Sequence, residues 1–236
     1  KGIDIGRMQV GDMMAFITYT MQIVMAFLMI TMISVMLPRA GVAAERIEEV
    51  LNTEETIKDK ADAADVDKKL ADCKGVVEFK NVSFRFDGGS ENAISNLSFK
   101  AEPGKTTAII GSTGCGKSTV VNLLDRFYDV TEGSITLDGV DIRDMSQKEL
   151  RSHIGLVPQK GVLFSGTIES NIKYGGDLVT DEDMKEAAEI AQATEFIEGK
   201  KDAYEDSIAQ GGTNVSGGQK QRLSIARAIA IKPKVY

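Results

Sequence analysis

The sequence predicts an α/β domain with an antiparallel β portion and a mostly helical late insert, preceded by a transmembrane α-helix. Three observations carry that reading. Residues 13–37 run for 25 positions without a charge. Residues 106–110, Thr-Thr-Ala-Ile-Ile, are β-branched and apolar, and they lead into a glycine-rich loop and a helical pattern from Ser118. Downstream, strand-like stretches at 133–142 and 154–158 give way to helical periodicity over 180–193 and 220–229.

The first segment, 1–51, is set by its solvent. As a helix, the uncharged run would be about 37 Å long, against roughly 30 Å of bilayer hydrocarbon. It lacks the basic leader and small-residue cleavage site of a signal peptide. Arg39 and Arg46 follow it, which places its C-terminal end on the cytosolic side. The helical pattern continues to Leu51, and the segment is expected to be the last of a set of membrane helices. Met21, Met25, Met29, Met32 and Met36 share one helical face, suited to lipid, to helix packing or to varied apolar ligands. Thr18, Thr20, Gln22, Thr31 and Ser34 could hydrogen-bond across a bundle. No intramembrane charge indicates an ion relay.

Residues 52–75 mix Asp, Glu and Lys with little hydrophobic rhythm and read as a surface linker. The remainder, 76–236, is the soluble domain. A strand pair is predicted at 76–86 and a further strand at 93–101, and Pro103-Gly104 turns the chain into the strand at 106–110. Asp138-Gly139 marks a hairpin, and Thr180 with Asp183 a helix cap. Net charge is −7, which offers nucleic acid nothing, and the absence of Trp argues against a carbohydrate or single-stranded nucleic-acid platform. The two cysteines, Cys73 and Cys115, are not spaced as a metal site, and a reduced cytosolic setting is the simpler reading for this part. Lys1 is not Met and Tyr236 stops in a strand-like run, so the sequence is expected to be part of a longer protein.

The chemistry centres on Gly111-Ser112-Thr113-Gly114-Cys115-Gly116-Lys117-Ser118-Thr119, which fits G-x-x-x-x-G-K-[ST] without mismatch. Strand, loop and helix stand in the order that turns backbone N–H groups and a helix N-terminus toward a polyphosphate. Lys117 would reach the β and γ phosphates, and the Ser118 hydroxyl would sit on Mg²⁺. Cys115, inside the loop, is a candidate for alkylation that ATP would protect against. A second anion site is expected about a hundred residues on. There Ser216 and Gln219 have capping-box spacing, and Gly217 and Gly218 leave amides bare at a positive helix end.

Together with Gln159 between them, these motifs make the soluble part resemble the nucleotide-binding domain of an ATP-binding cassette (ABC) transporter. The whole chain resembles the C-terminal part of an exporter-type half-transporter. Residues 111–118 match the Walker A loop, Gln159 the Q-loop and 215–219 the signature motif, with Val215 where the family often has Leu. Phe86 takes the place of the aromatic, usually Tyr, that stacks on adenine; it keeps the face and loses the hydroxyl. Residues 208–212 stand where exporters carry a loop that touches the membrane domain, with Gln210 for the usual Glu.

The resemblance implies an ABC-type ATPase of the P-loop class in a head-to-tail dimer, homomeric or heteromeric. One chain would hold ATP and Mg²⁺ with Phe86, 114–119 and Gln159, and cap its partner's γ phosphate with Ser216, Gly217 and Gly218. It implies a multi-pass bacterial membrane protein exporting a multidrug-like or lipophilic small molecule, with no nucleic-acid partner. Walker B would begin at 232–236, so the general base, its neighbouring Asp and the switch His are expected outside this sequence. His153 precedes the Q-loop and is expected to be a surface or packing residue. The chain is also similar to a subunit type of heterodimeric multidrug exporters in which Asp replaces the catalytic Glu. Both readings stand: a competent ATPase, and a degenerate ATP clamp that lends its signature to a partner.

Overall fold

Asn81 shows how local chemistry shapes the fold. The strand pair predicted at 76–86 is one strand, β1 (Val77–Phe84), kinked at Asn81, whose φ is +49°. The register against both neighbours slips there, between Phe79 and Val82 on one side and between Lys80 and Ser83 on the other. The bulge interrupts the alternation, so Val77 and Phe79 are buried before it, and Val82, Ser83 and Phe84 in succession after it.

The structure is a computed structural model that describes residues 9–60, 63, 70, 72–175 and 179–236. The chain divides into two units, Lys1–Thr56 and Ile57–Tyr236. In its described part the first is essentially one helix, α1 (Val10–Leu51), of 42 residues or about 63 Å. All of its residues are exposed, and it is long and apolar enough to cross a membrane. Thr18, Thr20, Thr31 and Ser34 donate their hydroxyls to the carbonyls of Met14, Phe16, Phe27 and Ile30, one turn back. These donors are satisfied within the helix, which lowers the cost of placing them in an apolar medium. The helix runs on through Pro38, which leaves one backbone donor fewer.

The second unit has two hydrophobic cores. The first lies under a four-stranded antiparallel sheet of order β2-β1-β3-β4, with β2 at Ile94–Ala101, β3 at Glu132–Leu137 and β4 at Val140–Asp141. The β3–β4 turn has Asp138 at φ +48° and Gly139 at +83°, the left-handed pair that an Asp-Gly hairpin needs. The Asp138 carboxylate also accepts the amides of Gly75 and Val76, at 3.1 and 2.9 Å. Burial and this carboxylate push the Cys73 thiol up to about 11, which leaves it a protonated packing residue. Helix α2 (Lys117–Leu124) puts Val120 and Leu123 into the same core.

The second core is helical. It gathers α4 (Ile168–Ile172), α5 (Asp181–Ile190), α6 (Thr194–Glu198) and α7 (Gly217–Ala230), with a short β5–β6 pair at Gly166–Thr167 and Ser207–Ile208. Thr180 and Asp183 form the reciprocal cap expected of them, at 3.1 and 3.2 Å. Arg227 of α7 is the tie that sequence reading missed. Its guanidinium donates to Asn171 O, Asn171 Oδ1 and Val162 O, at 2.8 to 2.9 Å. It also lies over the stacked Phe164 and Tyr174 rings. Gly161 packs so closely on α7 that a Cβ would stand 2.8 Å from Lys220 O. The stretch that follows Gln159 is thereby bound to the helix that follows Ser216.

Residues 106–110 differ from the buried strand the sequence predicts. Among the described residues they pair with no strand, and Ile109 and Ile110 are 42 % and 89 % exposed. β-branched apolar residues favour a pleated, covered environment without creating one; a parallel strand needs neighbours on its edges.

Asp125, at the C-terminal end of α2, carries a pH dependence. Its side chain is 4 % exposed and Oδ2 has no hydrogen-bond partner. Burial pushes its carboxyl up to about 6, against the opposing pull of Arg151. The folded state therefore keeps this proton between about 4 and 6 while the unfolded state loses it, and stability falls as pH rises through that window. Asp125→Asn should stabilise the protein by about 2 kcal/mol at pH 8 and leave it near wild type at pH 4, measured by denaturant unfolding. Equal gains at both pH values would refute the argument.

Candidate nucleotide site

The loop 111–116 takes its shape from glycines. Gly114 and Gly116 have φ of +83° and +93°, left-handed values that a side chain would strain. Gly116 is also crowded, since a Cβ there would meet Ala93 O at 3.0 Å and Ile94 Cδ1 at 2.6 Å. It is the N-cap of α2, so the loop delivers its chain directly into a helix N-terminus. Lys117, the first helical residue, folds its ammonium back over the loop and donates to Gly111 O at 3.0 Å and Ser112 O at 2.7 Å. Its Nζ lies 3.8 Å from Cys115 Sγ. No carboxylate neutralises Lys117 among the described residues, so the loop presents a positive centre beside a helix N-terminus. Ser112, Thr113, Cys115 and Ser118 are exposed around it, and Thr119 is half-buried.

Phe86 lies two residues past the end of β1. Its ring meets Phe84 at 4.8 Å and Tyr128 at 5.3 Å, both edge-on. Ala93 links this corner to the loop: its N–H donates to Phe84 O at 2.8 Å, and its own carbonyl is one of the two atoms that crowd Gly116. The half-exposed aromatic and the phosphate-type loop are thus joined through one residue of backbone.

Gln159 is exposed in a bend after Ile154, which forms a parallel bridge with Val235. His153 lies on that approach and contacts Glu149 at 3.0 Å, a packing position. Among the described residues no group of three or more His, Cys, Asp or Glu could hold a metal. A cation here would depend on Ser118, Gln159 and the phosphates of a nucleotide, and the exposed Ser118 hydroxyl fits that need.

Ser216, Gly217, Gly218 and Gln219 belong to the other core. Ser216 Oγ accepts Gln219 N at 3.2 Å and Gln219 Oε1 accepts Ser216 N at 2.9 Å, completing the box. The amides of Gly217 and Gly218 stay unpaired among the described residues, and a Cβ at either glycine would meet nothing within 4 Å. Neither glycine is required by crowding inside the chain. Behind them, Asn214 accepts Ala209 N and donates to Ser207 O, and Lys220 Nζ donates to Gly211 O. These bonds hold the turn at Gln210–Gly212 against α7. No hydrogen bond among the described residues joins 216–219 to 111–119.

Residues 94–236 match the family model described as ABC transporter. An uncharacterized ABC transporter ATP-binding protein of Mycobacterium tuberculosis is 47% identical over 99% of this chain and 40% of its own. An ATP-dependent lipid A-core flippase of Desulfotalea psychrophila is 42% identical over 79% of this chain and 32% of its own. A beta-(1→2)glucan export ATP-binding/permease protein of Rhizobium johnstonii is 39% identical over 96% and 38%. Among solved structures, a bacterial Atm1-family ABC exporter with ATP bound superposes with a TM-score of 0.74 and 33% identity, over 96% of this chain and 39% of that one. The chain spans about two fifths or less of the length of these proteins.

Proposed function

As this chain belongs to the ABC transporter family, we propose that it is the ATP-binding part of an exporter subunit, coupling ATP binding and hydrolysis at a subunit-shared site to movement of a substrate across a membrane. In this reading residues 1–51 are the last transmembrane helix with its cytoplasmic extension, 52–75 the linker and 76–236 the cytoplasmic nucleotide-binding domain. Phe86 stacks on adenine. The amides of 114–119 cradle the phosphates, and Lys117 leaves the carbonyls of Gly111 and Ser112 for the β and γ phosphates. Ser118 and Gln159 would hold Mg²⁺, which supplies neutralising charge to the phosphates. The relative named for lipid A-core flipping supports a bacterial exporter of a lipophilic compound, whereas the one named for glucan export is matched to a hydrophilic polysaccharide. The methionine face of α1 suits a lipophilic ligand.

One observation carries the shared-site reading. Among the described residues the amides of Gly217 and Gly218 are bare, open and unused, and they sit on a different core from the phosphate loop. An anion that they bind should therefore be held by another subunit. The test is complementation in a dimer. A subunit carrying Lys117→Ala and one carrying Gly218→Asp should each be inactive alone. Co-assembled, they should recover about half of the wild-type ATPase rate, because one of two composite sites is then intact. If the mixed dimer stays as inactive as its parents, the site is not shared in this way. ATP retention without any turnover would instead favour the clamp.

A further inference from the structure

We infer that Tyr128 is the positioning residue of the base subsite: it fixes the Phe86 ring so that one face is presented to the purine, and it joins base recognition to the far end of the phosphate-loop helix. This rests on the reading of Phe86 as the adenine-stacking ring.

The placement of Tyr128 is over-determined. Past the end of α2, Arg126 lies in the left-handed region, at φ +52°, and Phe127 N donates back to Asn122 O at 2.9 Å, six residues closed on one. A non-glycine residue in that conformation persists when its surroundings hold it there. Here they do. Arg151 donates to the carbonyls of Asp125 and Arg126, both at 3.2 Å, and lies over the Phe127 ring at 5.1 Å. On the other side, Thr131 N donates to Ser83 O at 3.0 Å, and Arg85 N donates to Thr131 Oγ1 at 3.1 Å. The loop carrying Tyr128 is thus stitched to β1 at the residues that flank Phe84.

Phe86 is thereby part of a three-ring cluster, since the Phe84 and Tyr128 rings also meet, with centroids 5.4 Å apart. Phe84, 4 % exposed, meets the Phe86 ring at 80°, and Tyr128 meets it at 87°. Edge-to-face contacts from two directions hold a ring's tilt in a way that aliphatic packing does not. Phe86 nonetheless remains 43 % exposed, and Tyr128 41 %, so a flat partner can still reach the site. Phe86 is anchored from its own strand through Phe84, and Tyr128 supplies the second direction.

The experiment compares two probes on the full-length protein in nanodiscs: ATP and inorganic tripolyphosphate, which has no base. Tyr128→Ala and Tyr128→Leu should weaken ATP about three- to tenfold and leave tripolyphosphate within about twofold. Tyr128→Phe should match wild type for both. Adding Tyr128→Ala to Phe86→Ala should cost nothing further, because the residue acts through that ring. Equal weakening of both probes would assign Tyr128 a merely structural role and overturn the inference, as would unchanged ATP binding in Tyr128→Leu. If Phe86→Ala itself spares ATP, the inference falls together with the stacking reading. If wild type binds ATP without binding tripolyphosphate, the phosphate-loop reading fails independently. Should Tyr128→Ala fail to fold, Tyr128→Leu, which keeps apolar bulk without a ring, decides.

Discussion

Replacing Lys117 by Ala should lower ATP turnover about 100-fold or more while moving the melting temperature by about 2–4 °C at most. The asymmetry follows from what the side chain touches. Its ammonium donates to two carbonyls of an exposed loop, and both can turn to water when it is removed, so little stability is lost. In the proposed reaction the same charge meets phosphate oxygens whose negative charge grows during transfer, where a preorganised donor has its largest effect. Lys117→Arg should not rescue turnover. A planar guanidinium fork cannot reproduce a compact point charge that folds over six residues of its own loop. Steady-state ATPase rates and thermal unfolding on the same preparations check both halves. A melting temperature that falls in step with activity would mean the lysine is structural.

Residues whose role is set by immediate neighbours were legible before the structure. Asp138-Gly139 demands a left-handed pair, and Thr180 with Asp183 and Ser216 with Gln219 close their caps across three positions. Arg126 and Arg227 were invisible for the opposite reason. Arg227 reaches a carbonyl 65 positions earlier in sequence, at Val162, and Arg126 reaches one 68 positions earlier, at Lys58. Arginines in amphipathic or polar surroundings look like solvated charge until the fold brings carbonyls around them. Tyr128 was missed likewise, since nothing in Arg-Phe-Tyr-Asp announces a ring 42 residues away at Phe86. Residues 106–110 fail in a third way: the residue types are those of a strand, but among the described residues no strand pairs with them.

The two invisible arginines have parallel functions. Arg227 binds the stretch after Gln159 to the helix capped by Ser216, and Arg126 binds 58–59 to the end of the phosphate-loop helix. Each core therefore has a guanidinium that fixes a second segment to one of its helices.

Arg126→Ala is expected to destabilise this unit by about 3 kcal/mol. The side chain is 2 % exposed and donates to Asp129 at 3.0 Å, Met145 O at 2.9 Å and Lys58 O at 3.2 Å, with Asp59 at 3.5 Å. Losing it strands the Met145 carbonyl, whereas Asp59 and Asp129, more than a third exposed, can rehydrate. That keeps the cost at the lower end of the range for breaking a buried pair. The backbone supplies a second, separable quantity. Alanine at φ +52° pays for the left-handed conformation and glycine does not, so Arg126→Gly should be about 1 kcal/mol more stable than Arg126→Ala. Denaturant unfolding of the two variants measures that difference. Hydrogen exchange should show residues 57–60 losing protection in both, since Lys58 and Asp59 lose the same anchor. If exchange there is unchanged, Gln147, which bonds Asp59 and Ile57 from α3 (Gln147–Ser152), and the Lys60–Asp144 pair hold the segment without Arg126, and the role given to it is wrong.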